Sequence, residues 1–189
     1  MAFCLFVGNV KAEEDYAPGA KSAILIDSAT GKVLYEKNAD EALAPASMTK
    51  LGSMLIIMEA IDNGSLRLED EVTISEEAAN MGGSQVFLEA GEVYKVHDLL
   101  KGVAIASGND AVVALAEKVA GSQSEFVTMM NNRFKEIGAK NTNFVNAHGL
   151  DAEGHYSTAR DMSIIARELL KHEKILEYTS IYEEYLEKN

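Results

Sequence analysis

The apolar pattern of this chain changes period once, at Pro45, and that change limits the folds open to it. Before it, residues 22–27 and 32–36 carry short strand-like runs, Ile24-Leu25-Ile26 and Val33-Leu34-Tyr35, separated by Ser28-Ala29-Thr30-Gly31. A turn rich in small polar residues, with a glycine able to take positive φ, joins such runs as a β-hairpin. After Pro45 the spacing becomes helical: Leu51, Met54, Leu55 and Met58 recur at offsets of three and four until Asn63-Gly64. Residues 97–106 and 110–120 repeat the helical pattern, with Leu99, Leu100 and Val103, then Val112, Val113, Ala116 and Val119. Ser122 followed by Glu125 is a capping box opening a helix with Phe126, Met129, Met130 and Ile137, and Gly138 closes it. Thr158 with Asp161 caps another, carrying Met162, Ile165, Ala166 and Leu169. These Met and Leu stripes are core faces rather than cofactor boxes. Residues 71–96 are less regular. The expected class is α+β, an N-terminal hairpin beside a mainly helical lobe.

A chain of 189 residues, 47% hydrophobic and 25% charged, has globular composition and length for a sizeable core. Lys plus Arg number 17 against 30 Asp plus Glu, a net charge of −13. That balance offers no basic stripe to displace phosphate counterions, which argues against nucleic acid as a partner and against simple adsorption on anionic lipid. Solubility accounts for the acidity. Cys4 is the single cysteine, so there is no disulfide framework. Residues 2–7 are apolar, and Val10-Lys11-Ala12 places small side chains where a signal peptidase reads them. Residues 1–19 are therefore read as a clipped signal-peptide remnant and leader, which implies export to the cell envelope. The rival reading is an arbitrary start with a greasy end. No stretch has the length of a membrane span.

Ser47-Met48-Thr49-Lys50 falls where the hairpin segment hands over to the first helix. Positions i and i+3 share a helical face, so the Ser47 hydroxyl and the Lys50 amine can meet. A serine alcohol needs an adjacent base to become a nucleophile. Lysine serves as that base when burial or nearby positive charge lowers its pKa. A helix N-terminus beneath the serine adds free backbone N–H groups for an oxyanion. With 13 serines and 13 lysines, about one Ser-x-x-Lys arises by chance, so position carries the argument and spacing does not. Ser107-Gly108-Asn109 interrupts two apolar helices. It reads either as a proton-relay hydroxyl and a substrate-holding carboxamide, or as a connecting turn with Asn109 as N-cap. Beside Ser47 and Lys50, the first reading is preferred. His148, Asp151 and His155 have spacings open to a metal hydrolase, although on a glycine-containing loop they read as surface polar residues. His97 and His172 read as surface or boundary residues.

Pro45-Ala46-Ser47-Met48-Thr49-Lys50-Leu51 followed by Ser107-Gly108-Asn109-Asp110 resembles the first two signatures of the serine-type D-alanyl-D-alanine carboxypeptidases, the low-molecular-mass penicillin-binding proteins. Gly83-Ser84-Gln85-Val86-Phe87-Leu88-Glu89-Ala90-Gly91-Glu92 is similar to the loop between them. Asn141-Thr142-Asn143-Phe144, His148-Gly149-Leu150-Asp151 and the segment from Gly154-His155-Tyr156 through Met162 are similar to the later helical lobe. The likeness covers residues 20–170. It implies a DD-peptidase/β-lactamase-like fold and removal of the terminal D-alanine from a peptidoglycan stem peptide ending in D-Ala-D-Ala. In that scheme Ser47 attacks the carbonyl, Lys50 takes its proton, Ser107 relays it, and Asn109 holds the substrate amide. β-Lactams would acylate the same serine, and neither metal nor organic cofactor is implied.

The third signature of that family, Lys-Thr-Gly or Lys-Ser-Gly, is not in these 189 residues; Lys21-Ser22-Ala23 lacks the glycine. Residues 20–189 are accordingly expected to be a partial catalytic domain with an incomplete antiparallel sheet. Alone, such a chain would be weakly active or inactive, with hairpin edges free to pair between chains as a homo-oligomer. The alternative is a non-catalytic module that keeps the fold and binds wall peptide or a protein partner.

Overall fold

The computed structural model describes residues 14–185, so the signal-like run, Cys4 and Glu187 lie outside the described part. Strands β1 (Ala23–Ile26) and β2 (Val33–Lys37) form the expected antiparallel hairpin, with an irregularity between Leu25 and Ile26. Its turn is built from side chains. The Asp27 carboxylate accepts from the Thr30 amide at 2.7 Å and the Thr30 hydroxyl at 2.6 Å, while Gly31 takes φ +74°.

A short 3-10 turn, Ala46–Met48, leads into helix α1 (Thr49–Asp62). The sequence suggests a helix with one apolar stripe, but α1 is buried nearly all round, from Gly52 through Met58 without a break. A helix surrounded in this way is the centre of its domain and not a surface element. Helices α4 (Asn109–Ala120), α5 (Gln123–Ile137) and α6 (Ala159–Leu169) pack against it, and α3 (Val96–Ala106) packs on α4. Close approach at the centre uses Gly52: a Cβ there would lie 2.5 Å from the Phe134 ring. Phe134 in turn meets Phe144 edge-on at 5.4 Å, within the range aromatic pairs favour.

The stretch read as irregular holds a second hairpin. Strands β3 (Glu71–Thr73) and β4 (Val93–Lys95) pair antiparallel, with the one-turn helix α2 (Glu76–Ala79) between them. Three-residue strands with a single inward side chain, Val72 and Tyr94, leave too short an alternation to be read from the sequence. The expected caps are present: the Ser122 hydroxyl accepts from the Glu125 amide and the Thr158 hydroxyl from the Asp161 amide, each at 3.1 Å. The short helix α7 (Ile175–Thr179) packs on α3. Helices with small antiparallel sheets make the molecule α+β, as the sequence indicates. Among the described residues no helix is long and apolar enough to cross a membrane.

Candidate active site

Pro45 is buried, Ala46 is a non-glycine residue at φ +48°, and Ser47 follows it, exposed, in the 3-10 turn. A left-handed alanine costs roughly 1–3 kcal/mol and persists only where neighbours enforce it. One turn on, Lys50 is only 3% exposed. Its Nζ donates to the Ser47 Oγ at 3.4 Å and to the His148 carbonyl at 2.7 Å. Burial pulls the amine down from the ordinary lysine value to about 8, against the opposing pull of the Asp110 carboxylate. The structure therefore brings Ser47 and Lys50 together, as their spacing suggests.

The Ser107-Gly108-Asn109 segment links α3 to α4. Ser107 ends α3 in the left-handed conformation at φ +55°, and Gly108, not Asn109, is the N-cap of α4. The capping reading of Asn109 is thus overturned. Asn109 is the first helical residue and is 3% exposed; its Nδ2 donates to the Gly82 carbonyl and its amide to the Ser84 carbonyl, both at 2.7 Å. Next to it, buried Asp110 accepts from the Val86 amide at 3.0 Å and the Leu88 amide at 3.2 Å. Phe87 lies between those two amides at φ +61°, with 70% of its surface exposed.

A third segment, residues 146–157, joins these two. The Asn146 Oδ1 accepts from the amides of His148 at 3.2 Å and Gly149 at 2.7 Å, turning the chain tightly. Gly149 (φ +91°) sits so close to the Pro45–Lys50 segment that a Cβ there would lie 2.0 Å from the Ala46 carbonyl oxygen. The Ser53 hydroxyl donates to the Ala147 carbonyl at 2.6 Å. On the other side, a Cβ at Gly83 would meet the Asn109 Nδ2 at 2.7 Å and Leu150 at 3.4 Å. Contacts thus run from Ala46 through Gly149 and Leu150 to Gly83 and Asn109, linking the two polar motifs through one loop.

His148 and His155 are buried, not surface residues as the sequence suggests. The His148 Nδ1 accepts from the Leu150 amide at 3.2 Å, and burial beside Lys50 lowers its pKa to about 4. The His155 Nδ1 accepts from the Val145 amide at 3.1 Å, its Nε2 lies 2.8 Å from the Thr49 hydroxyl, and its ring stacks on Phe144 at 4.9 Å. Among the described residues no group of three His, Cys, Asp or Glu side chains is arranged to hold a metal. His97 bonds to the Tyr178 hydroxyl and His172 to Asp62, both at the boundary of the fold as expected. Sequence reasoning passed over Asp110, Asn146 and Gly149; an Asn three residues before a glycine was the available signal for the last two.

The family model described as D-alanyl-D-alanine carboxypeptidase matches residues 9–189. The D-alanyl-D-alanine carboxypeptidase DacF of Bacillus subtilis (strain 168) is 58% identical over 179 residues, covering 95% of this chain and 46% of DacF. Among solved structures, the D-alanyl-D-alanine carboxypeptidase DacD of Francisella tularensis superposes with a TM-score of 0.84 at 34% identity, covering 95% of this chain and 43% of that one. Penicillin binding protein 5 of Haemophilus influenzae gives 0.78 at 39% identity, covering 80% and 45%. The chain spans less than half the length of each of these relatives. Matched nearly end to end in sequence and in fold, the chain belongs to the D-alanyl-D-alanine carboxypeptidase family of serine-type penicillin-binding proteins.

Proposed function

We propose that the chain carries the acylation machinery of a DD-carboxypeptidase acting on peptidoglycan stem peptides at the cell envelope. Neutral Lys50 removes the Ser47 proton as the Oγ attacks the carbonyl between two terminal D-alanines. The Ser47–carbonyl bond forms, the peptide C–N bond breaks, and the proton passes through Ser107 to the departing D-alanine amine. Water then hydrolyses the ester and regenerates Ser47. Asn109, fixed by the Gly82 carbonyl, holds the substrate amide. A β-lactam enters the same first step, with its ring C–N bond breaking. The observation carrying this reading is the buried Lys50 amine, 3.4 Å from the Ser47 hydroxyl, with its pKa drawn to about 8.

No Lys-Thr-Gly or Lys-Ser-Gly triplet occurs in the 189 residues, and we propose that this polypeptide on its own reacts slowly. Intact mass after prolonged incubation with benzylpenicillin tests the reading. One covalent adduct on Ser47, absent from Ser47→Ala, is expected. No adduct, together with saturable binding of wall peptide that survives Ser47→Ala, would replace the enzyme with a binding module. The two-stranded β1–β2 sheet leaves both strands as edges, and we propose edge-to-edge self-association of this polypeptide.

A further inference from the structure

Thr49 lies between Met48 and Lys50 and is fully buried, and its hydroxyl is held by a single imidazole 106 residues away. The contacts of that imidazole settle its tautomer. The Val145 N–H points at Nδ1, which must therefore be bare and accept. In a neutral ring the proton then sits on Nε2, so His155 donates to the Thr49 Oγ1 at 2.8 Å. A ring turned over by 180° would keep its stack on Phe144, at 20° and 4.9 Å, but would place carbon atoms where Nδ1 meets the Val145 amide and Nε2 meets the Thr49 hydroxyl. Burial also disfavours the imidazolium, which would set a second N–H against that of Val145.

The same loop touches the 3-10 turn and the first two turns of α1 at three other points: the His148 carbonyl on Lys50, the Ala147 carbonyl on Ser53, and Gly149 against the Ala46 carbonyl. Those three are backbone contacts from the loop side. The His155 bond reaches Thr49, the residue beside Lys50, through a loop side chain.

We propose that His155 is a positioning residue for the Ser47–Lys50 pair, acting through an Nε2–H···Oγ1 bond to Thr49 that keeps the first turn of α1 seated. The proposal rests on the acyl-transfer reading above. With the bond gone, the turn loosens, water reaches the Lys50 Nζ, and the desolvation that makes it a usable base is relieved.

Two conservative variants separate this role from simple support of the loop. In His155→Gln the carboxamide nitrogen reaches the position of Nε2 and restores the donor to Thr49. In His155→Asn the carboxamide oxygen takes the place of Nδ1 and restores only the acceptor for Val145. The Lys50 titration midpoint, followed by NMR of the lysine side chains with Lys50→Arg for assignment, is the readout. Gln leaves the midpoint near that of the unsubstituted chain. Asn and Ala raise it by about one unit or more towards the ordinary lysine range. The reverse order, or no movement in any variant, would overturn the proposal. So would imidazole nitrogen spectra of the unsubstituted chain showing the His155 proton on Nδ1, a measurement that needs no variant to fold. Benzylpenicillin adduct formation is measured in parallel. If Ser47 takes no adduct while the Lys50 midpoints follow the Gln/Asn pattern, the acyl-transfer reading fails and the positioning role stands.

Discussion

At Lys50 the pH dependence of chemistry and of stability follow from one depressed pKa. Only the neutral amine accepts the Ser47 proton, so adduct formation with penicillin rises with pH through about 8 and then levels. Lys50→Arg, charged throughout, should lose the adduct by about a hundredfold or more in stopped assays by mass. Between about 8 and the ordinary lysine value of 10.5, the unfolded chain binds the proton and the folded one does not, so stability rises with pH across that window. His148 behaves likewise at acid pH. Its folded value of about 4 lies below the ordinary 6.5, so acidification from 6.5 to 4 removes stability, and below 4 this group adds no further slope. Its share of that slope is at most about 1.4 kcal/mol per pH unit. His148→Asn, which keeps an acceptor for the Leu150 amide, should flatten urea midpoints plotted against pH in that interval.

At the scale of elements, the active turn is held by backbone shape more than by side chains. Gly149→Ala would drive a Cβ into the Ala46 carbonyl at a left-handed position, and we expect a loss of at least about 1–3 kcal/mol by denaturant unfolding, with slower adduct formation. This is also where the sequence ran out. The hairpin, the long helices and their caps were legible because alternation, 3.6-residue spacing and capping pairs are local signals. Ser47 and Lys50 are legible from their position, where the hairpin segment hands over to the first helix. Asp110, which anchors the amides on both sides of Phe87, and Gly149, which abuts residue 46, act across large separations through backbone atoms of any residue type. No periodicity records such contacts. The two histidines were misjudged because a glycine-containing loop reads as surface, whereas Asn146 folds this one inward.

At the scale of the whole molecule, the hairpin exposes apolar side chains. Leu25 and Leu34 are 56% and 57% exposed, and among the described residues the two strands pair only with each other. Light scattering of the purified polypeptide should show mass rising with concentration, and Leu34→Lys should return it to a monomer; a concentration-independent monomer would end the edge-pairing idea. Helix α6 ties the hairpin to the rest: the Arg167 guanidinium donates to the carbonyls of Ser28 at 2.7 Å and Ala29 at 2.9 Å, and Arg160 donates to the Glu36 carboxylate of β2 at 2.6 Å.

The 106-residue separation between Thr49 and His155 also imposes an order in time. At about 5–20 residues per second, roughly 5–20 s of synthesis pass between those two positions. Throughout that interval the growing polypeptide displays an ordinary serine beside a fully protonated lysine. On the proposed acylation chemistry, reactivity towards a β-lactam would then belong to folded copies, and a covalent penicillin label would count those copies while ignoring nascent or misfolded ones.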